Sequence, residues 1–508
     1  MQTNILEYLE DTVKRLPEKP AFVGVNTMLT FRELYEGARS IGSALAEMGH
    51  YKEAVLVYME KSPQTIETFF GVVYSGCFFV PLDAEMPLKR IELIIESTKA
   101  GVLICDEKSL EKAKHLNFDG EIILADTLKE RQENEKSLQQ VRDRAIDTDP
   151  VYILFTSGST GIPKGCIGHH RGVIDYIEQL SAVMNFSEET IFGNQAPLYV
   201  DACMKELYPT IKFGATTYLI PKQLFMFPLQ LVDYLNEHRI NTICWVASAL
   251  TMVSSFGALD EKEPEYLHTI GFGGEVFPVK QLNLWKKFLP DASFVNLYGP
   301  TEITGVCCYY RADRLFGENE VIPVGRAFKN MDVFILKDDM TCAKNGEEGE
   351  ICVRGTGLTH GYYANSEKTA EVFVQNPLNP YYPETIYKTG DIGRWNKDGE
   401  LEFVSRKDCQ IKHMGHRIEL GEIEACVSAV AGVQMTACIY DGKKNKIILF
   451  YLGELTEKEL ILKMKERIPR YMLPNRTIRL EQMPFTSNGK LDRKALKEMY
   501  NKEQKDLN

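Results

Sequence analysis

Thr156-Ser157-Gly158-Ser159-Thr160-Gly161-Ile162-Pro163-Lys164-Gly165 gathers small and hydroxylic residues ahead of one proline, one lysine and a glycine. It follows Val151-Tyr152-Ile153-Leu154-Phe155, an apolar run that reads as a buried strand. Such a loop can turn several backbone N–H groups and hydroxyls toward an anion, because glycine accepts positive φ and leaves room for oxygens. Phosphate is the natural guest, although a Ser/Thr/Gly cluster on its own is as often a plain surface loop. The loop lacks the Gly-Lys-Ser/Thr ending of a Walker A motif. Further on, Phe294-Val295-Asn296-Leu297-Tyr298-Gly299-Pro300-Thr301-Glu302 ends a strand in a Gly-Pro turn that can present an aromatic face, a hydroxyl and a carboxylate together. Asp391, in Tyr387-Lys388-Thr389-Gly390-Asp391, is a natural acceptor for two neighbouring hydroxyls. Near the end, Thr486-Ser487-Asn488-Gly489-Lys490-Leu491-Asp492-Arg493 carries a lysine on what is ordinarily a solvated turn.

Positioning these groups takes many elements. Thr30 with Glu33 forms a capping box ahead of Leu34, Ala38, Ile41 and Leu45 on one helical face. Ala54 to Met59, Val102 to Cys105 and Ile122 to Leu124 are strand candidates between helical stretches, and 168–184 reads as a helix. Strands alternating with helices predict a parallel α/β sheet. Asp201 opens Ala202-Cys203-Met204-Lys205-Glu206-Leu207-Tyr208-Pro209, where its carboxylate either caps the following helix or pairs with Lys205 at i, i+4 or meets a bound ammonium group. Beyond Asp408 the pattern changes, with strands near 433–440 and 446–452 and a helix near 457–467.

A chain of 508 residues predicts about two to four domains with sizeable cores. Its 44% hydrophobic and 26% charged residues are those of an ordinary soluble protein, and a net charge of -12 gives no general reason to bind nucleic acid. The 12 cysteines show neither zinc-ligand spacing nor a disulfide framework. No run approaches a membrane span and no leader pattern opens the chain, so the expectation is a cytoplasmic protein.

In order and across nearly the whole chain, these motifs resemble the adenylate-forming superfamily: acyl-CoA synthetases, luciferases and the adenylation domains of nonribosomal peptide synthetases. The resemblance implies a large N-terminal domain of parallel-rich sheets with flanking helices at 1–407, and a small mobile α+β domain at 408–508. It implies ATP and Mg²⁺ as cofactors. Thr156, Ser157, Gly158, Ser159, Thr160 and Lys164 would hold phosphates. Asn296, Tyr298, Gly299, Asp391 and Arg406 would hold the nucleoside, with Tyr298 on adenine and Asp391 and Arg406 toward the ribose. Thr301 would contact the α-phosphate, Glu302 would hold the metal and Lys490 would bridge carboxylate and α-phosphate. Asp408 matches the hinge, and Gly415 matches the path of an incoming thiol.

Within the superfamily the chain looks most like stand-alone D-alanine–D-alanyl carrier protein ligases. That branch implies an amino-acid substrate whose ammonium group pairs with Asp201, in a pocket lined by Ala202, Lys205, Trp245, Phe272, Gly273, Leu297, Gly305 and Val306. The chain ends 18 residues after Lys490 (508 − 490), so the carrier protein bearing the phosphopantetheine thiol is expected to be separate. Two departures set it apart from those ligases: Gly273 stands where they have cysteine, which is expected to enlarge the pocket, and Lys205 where they have an apolar side chain, suited to an acidic substrate. The alternatives are an acyl- or aryl-CoA ligase, against which Asp201 argues, and a non-catalytic nucleotide-binding relative, against which Lys490, Glu302 and Asp391 argue together.

Overall fold

Apolar runs in the sequence become strands covered on both faces. All six residues of Ala54–Met59 are buried, and the strand pairs in parallel with Phe78–Asp83 on one side and Val102–Cys105 on the other. A strand with both faces covered has no polar side to show, which is why it reads as a continuous hydrophobic run. The computed structural model describes residues 2–158, 161–408, 410–442, 444–485 and 491–506, with side chains to residue 502 in the last helix.

Clustering of the chain gives two units, one of Met1–Ala84, Ser97–Phe155 and Gly165–Lys407, the other of Glu85–Glu96, Thr156–Lys164 and Asp408–Asn508. In the first, a six-stranded sheet runs in the order Glu121–Leu124, Val102–Cys105, Ala54–Met59, Phe78–Asp83, Pro150–Thr156, Lys164–His169. A nine-stranded sheet has Ser293–Tyr298, Thr269–Gly273, Thr242–Val246, Ile191–Asn194 and Thr216–Leu219 side by side, all parallel. Its flanking helices include Phe31–Glu47, capped by Thr30 and Glu33 as the sequence predicts. A five-stranded antiparallel sheet follows, centred on Glu348–Gly355 and Thr385–Trp395. The parallel α/β expectation therefore holds for the bodies of the first two sheets, the nine-stranded one having antiparallel strands at both edges, and the third adds an antiparallel layer.

The helix expected from residue 168 begins two residues later, at His170–Met184. Gly168 and His169 belong to the preceding strand, and His169 Nδ1 accepts the Gly172 N–H at 3.1 Å, capping the helix with an imidazole.

In the second unit, Val433–Asp441, Lys446–Gly453 and Arg476–Arg479 make a three-stranded sheet. Ile447, Leu449 and Tyr451 pack with the helices Leu420–Ser428 and Glu457–Lys465 on one face, while Ile448 and Phe450 meet Leu496 and Tyr500 on the other. That alternation is the period-two signature of a sheet covered on both sides. Among the described residues no helix is long and apolar enough to cross a membrane.

One buried contact ties the N-terminal helix Leu6–Arg15 to the rest of the first unit. The Ile5 N–H donates to His170 Nδ1 at 3.2 Å, so that nitrogen must be unprotonated. Burial, with Arg142 adding to it, pushes the imidazole from 6.5 down to about 3. Below the ordinary value the unfolded chain takes up a proton that the folded chain refuses. The stabilisation is therefore complete above 6.5 and is lost as pH falls toward about 3. Denaturant titrations between about pH 7 and about pH 4.5 are expected to show stability falling with pH. His170→Gln, which keeps an acceptor for Ile5, should make that fall shallower.

Candidate functional site

Tyr298 closes the strand Ser293–Tyr298, and its Oη donates to Asp391 Oδ2 at 2.6 Å. Arg406, cross-strand from Asp391 in the antiparallel sheet, donates from Nη1 to Oδ1 at 2.5 Å. Asp391 is only 2% exposed, and a buried carboxylate of this kind persists because a guanidinium and a phenol balance it. Its own N–H donates to Thr389 Oγ1 at 3.0 Å, and Thr389 Oγ1 donates to the Ile351 carbonyl at 2.8 Å, which fixes the strand underneath. Burial, reinforced by the Asp391 charge, holds the Tyr298 hydroxyl well above its ordinary range, so it remains a donor. A carboxylate has about four acceptor positions, so these two bonds leave Asp391 capacity for further donors.

The turn after Tyr298 folds tightly. Thr301–Ile303 is a single helical turn ended by Thr304 in the left-handed region at φ 61°. Thr301 Oγ1 donates to Asp201 Oδ2 at 2.8 Å. Asp201 opens the short turn Asp201–Cys203 without capping it, so the helix-cap role offered by the sequence does not apply. Gly305 lies against it: a Cβ there would stand 3.6 Å from both Asp201 Cβ and Met204 Cε. Leu297 and Val306 are buried in the same apolar cluster as Met204. Glu302 is fully buried, and its Oε1 accepts from Tyr362 Oη at 2.7 Å. No group of three or more metal-ligating His, Cys, Asp or Glu side chains occurs among the described residues. A lone carboxylate such as Glu302 fits magnesium, which keeps several waters and binds through one or two carboxylates together with substrate phosphates.

The structure separates the expected pocket residues into two faces. Trp245, Phe272 and Asn296 are neighbours in one row across the parallel strands, since Trp245 pairs with Phe272 and Phe272 with Asn296. Trp245 packs edge-on to Phe225, with its Nε1 donating to the Gly193 carbonyl at 2.7 Å, and Phe272 packs on Phe277. Asn296 Nδ2 donates to the Pro323 carbonyl at 2.8 Å. Leu297 belongs to the cluster on the opposite face, as do Cys244 and Val306. Trp245 and Phe272 are thus not brought together with Asp201, and the residues beside them, Cys244 and Gly271, take that face. A Cβ on Gly271 would meet Cys244 Sγ at 3.1 Å and Leu297 Cδ1 at 3.2 Å. Strand alternation was the available signal: moving one residue along a strand exchanges the faces.

Gly273 also differs from expectation. A Cβ there would fall 2.2 Å from the Leu297 carbonyl oxygen, so the neighbouring backbone fills the place of the missing side chain and no pocket volume is gained.

Sequence reasoning missed a polar cluster on the helix Met204–Phe213. Glu206 is fully buried, and its Oε2 accepts from Asn194 Nδ2 at 3.2 Å. Burial pushes its carboxyl from 4.5 up to about 8, despite the nearby Lys205. Exposed Lys61 reaches over it, its Nζ donating to the carbonyls of Asn194 and Gln195 at 3.2 and 3.3 Å. A glutamate within a helical stretch gave no sign of being interior.

The glycine-rich loop lies in the second unit. Gly158 N–H donates to Glu422 Oε2 at 3.2 Å, Lys164 Nζ stands 3.7 Å from Glu419 Oε1, and Ser157 Oγ donates to the Arg417 carbonyl. Glu422 also forms a buried ion pair with Arg90, and burial raises its carboxyl above the ordinary range. Thr156 Oγ1 reaches the Lys164 carbonyl at 3.4 Å. Asp408 accepts the Gln410 N–H at 3.0 Å. Met414 and Gly415, at φ 51° and 79°, form the two-residue turn between Gln410–His413 and His416–Glu419, where positive φ at both positions matches the strand twist. Ser159, Thr160 and Lys490 lie outside the described residues.

Comparison with known proteins agrees with this architecture. A match to the AMP-binding enzyme family runs over residues 9–363. Tyrocidine synthase 1 of Brevibacillus parabrevis is 29% identical over 506 residues, a region covering 97% of this chain and 45% of the synthase, so this chain spans less than half of that relative. Among solved structures, a Vibrio cholerae adenylation domain in complex with glycyl-adenosine-5'-phosphate superposes with a TM-score of 0.84 at 19% identity, covering 99% of this chain and 98% of that one. An artificially fused adenylation–PCP di-domain from Klebsiella oxytoca gives 0.83 at 19% identity, with 95% of each chain covered. At such identities the structures establish the fold: a mixed α/β fold with a large sheet-rich N-terminal domain and a small C-terminal one. With the family match taking in well over half of its length, the chain belongs to the AMP-binding enzymes, the adenylate-forming superfamily.

Proposed function

We propose that the protein uses ATP to convert an α-amino acid into its aminoacyl-adenylate and then transfers the aminoacyl group to the phosphopantetheine thiol of a separate carrier protein. The observation that carries the reading is the Thr301 to Asp201 hydrogen bond, which places a carboxylate suited to an α-ammonium group directly beside the Tyr298-to-Glu302 turn. The tyrocidine synthase relative and the adenylation–PCP fold neighbour support both the amino acid and the carrier.

In the first step a substrate carboxylate oxygen attacks the α-phosphorus of ATP and the bond to the β-bridging oxygen breaks, releasing pyrophosphate. Two anions must approach each other, so positioning and positive charge carry the catalysis. Lys490 is assigned the bridge between carboxylate and α-phosphate, and Thr301 a contact to the α-phosphate. The loop from Thr156 to Lys164 is assigned to the leaving phosphates, and Asp391 and Arg406 to the ribose. Magnesium, held by Glu302 and the phosphates, would offset the phosphate charge. In the second step the thiol sulfur attacks the acyl carbon, AMP leaves with the C–O electron pair, and the thiol proton passes to solvent. Asp408 is the proposed hinge between the steps, and Gly415 borders the proposed thiol path.

Pyrophosphate exchange into ATP is expected to need both magnesium and an amino acid, and its absence with every amino acid would end this reading. Lys490→Ala should slow adenylate formation by about 10²–10³-fold, the scale of losing one transition-state donor. Transfer of the aminoacyl group from supplied adenylate to a carrier thiol should continue in that variant. Asp391→Asn should raise the KM for ATP about tenfold with a smaller change in kcat, the pattern of an interaction made equally in ground and transition states.

A further inference from the structure

A cavity of about 260 Å³ lies in the first unit, walled by the helices Leu6–Arg15, Phe31–Glu47, Pro63–Tyr74 and Glu135–Arg142. Its lining takes in neither the Tyr298-to-Glu302 turn nor Asp201 nor Asp391. Leu6, Val73, Leu138 and Val141 give it an apolar wall, and exposed Lys14, Glu135 and Gln139 stand at its mouth.

The polar part of the lining is unevenly matched. Arg39, 9% exposed, is held between two rings, its Cζ 5.1 Å from the Tyr35 centroid and 5.9 Å from that of Tyr74. Its hydrogen bonds to Glu133 and Glu135 both leave from Nη2, so Nε and Nη1 have no acceptor among the described residues. Arg142 Nη2 donates to Glu10 Oε1 at 2.5 Å, and its other two nitrogens are likewise without an acceptor there. Tyr74 joins the two arginines, since its ring lies against Arg39 and its Oη donates at 3.3 Å to the Glu10 oxygen that Arg142 holds. His170, 4% exposed, engages the Ile5 N–H through Nδ1, which puts its proton on Nε2, a further donor with no acceptor among the described residues. Asn4, 6% exposed, accepts the Leu6 N–H on Oδ1 and leaves Nδ2 in the same position. The acids facing this space are already matched: Glu10 by Arg142, Glu135 by Arg39, and Asp149 by Lys52 Nζ at 2.6 Å.

Donors withdrawn from water without acceptors are costly. Water relieves that cost in part only, because each water brings two protons whose acceptors here are taken. A guest that accepts without donating fits better, and an ionised acceptor answers guanidinium donors at about twice the strength of a neutral one. Glu133 and Glu135, at 32% and 72% exposure, are screened by solvent and compete weakly for the remaining N–H groups of Arg39. An ammonium group would find no acid free to receive it. The volume is a little under the about 300–1,000 Å³ of pockets for drug-sized ligands, so the guest is small, on the order of ten non-hydrogen atoms.

We propose that this cavity binds a small organic acid with an apolar body and no amine, its carboxylate received by Arg39, Arg142 and His170 and its body lying against Leu6, Val73 and Leu138. Such a ligand is distinct from the amino acid of the proposed reaction, since it lacks the ammonium group that Asp201 is assigned to hold.

The test is calorimetric titration of the full chain with phenylacetate, phenylacetamide, phenylglycine and phenethylamine. The signal is the binding that Ala145→Trp removes, because this substitution fills the cavity from its lining without removing a charge. In that signal phenylacetate is expected to exceed its amide and both amines at least tenfold in affinity. Arg39→Gln and Arg142→Gln should each weaken phenylacetate about tenfold or more, the scale of one hydrogen bond to a charged group, while still melting cooperatively. Crystals grown with 4-bromophenylacetate should place the anomalous signal of bromine beside Leu6 and Val73. No binding up to about 10 mM, above the millimolar range of weak ligands, means that the cavity holds water only and overturns the inference. Affinity unchanged by all three substitutions places the acid elsewhere and overturns it too, as does preference for the amide or an amine. Pyrophosphate exchange is untouched by each of these outcomes, so the adenylation reading stands or falls separately.

Discussion

A buried negative charge on Asp391 is the constraint around which the first unit is arranged. The residue is in the antiparallel sheet, yet one of its two stabilising partners, Tyr298, comes from the end of a strand in the nine-stranded parallel sheet. The phenol-to-carboxylate bond therefore links two sheets that have no strand in common, alongside the backbone bonds of Val324 and Gly325 with Leu401. Breaking such a pair leaves a carboxylate out of water with too few donors, which costs several kcal/mol, about 3–5 by general experience. Tyr298 in turn begins the turn that carries Thr301, Glu302 and Gly305, so one hydrogen bond ties Asp391 to the turn whose groups surround Asp201.

The residues legible in the sequence were those whose type and place in a motif already stated their chemistry. Asp201, Thr301 and Gly305 come together on turns, and Tyr298 and Arg406, each at a strand end, meet Asp391 in the middle of Thr385–Trp395. Residues inside strands were less legible. Trp245 and Phe272 are large and apolar and seemed suited to a pocket wall, but the face they occupy is decided by single-residue register. The small residues next to them, Cys244 and Gly271, line the relevant side and carry no chemical advertisement. Gly273 misled for a related reason: an absent side chain suggests space, whereas here it lets the Leu297 carbonyl approach. Glu206 was illegible because burial is a tertiary property, and nothing local to a helix marks an acid that will be neutral.

The cluster of Glu206, Lys61, Asn194 and Lys205 shows how a protein stores electrostatic information without forming salt bridges. Removal from water raises the Glu206 carboxyl to about 8, while Lys61 stays at the surface. Backbone carbonyls and an amide hold Lys61 and Glu206 in place of opposite charges.

The glycine-rich loop meets carboxylates of its own unit, with its Gly158 amide on Glu422 and its Lys164 ammonium beside Glu419. Under the function proposed above, a phosphate would enter as a replacement, since a bond to the Gly158 amide or the Lys164 ammonium is one that an internal carboxylate gives up. Its affinity for such a guest would then be the difference between two negative partners, smaller than the count of donors alone suggests.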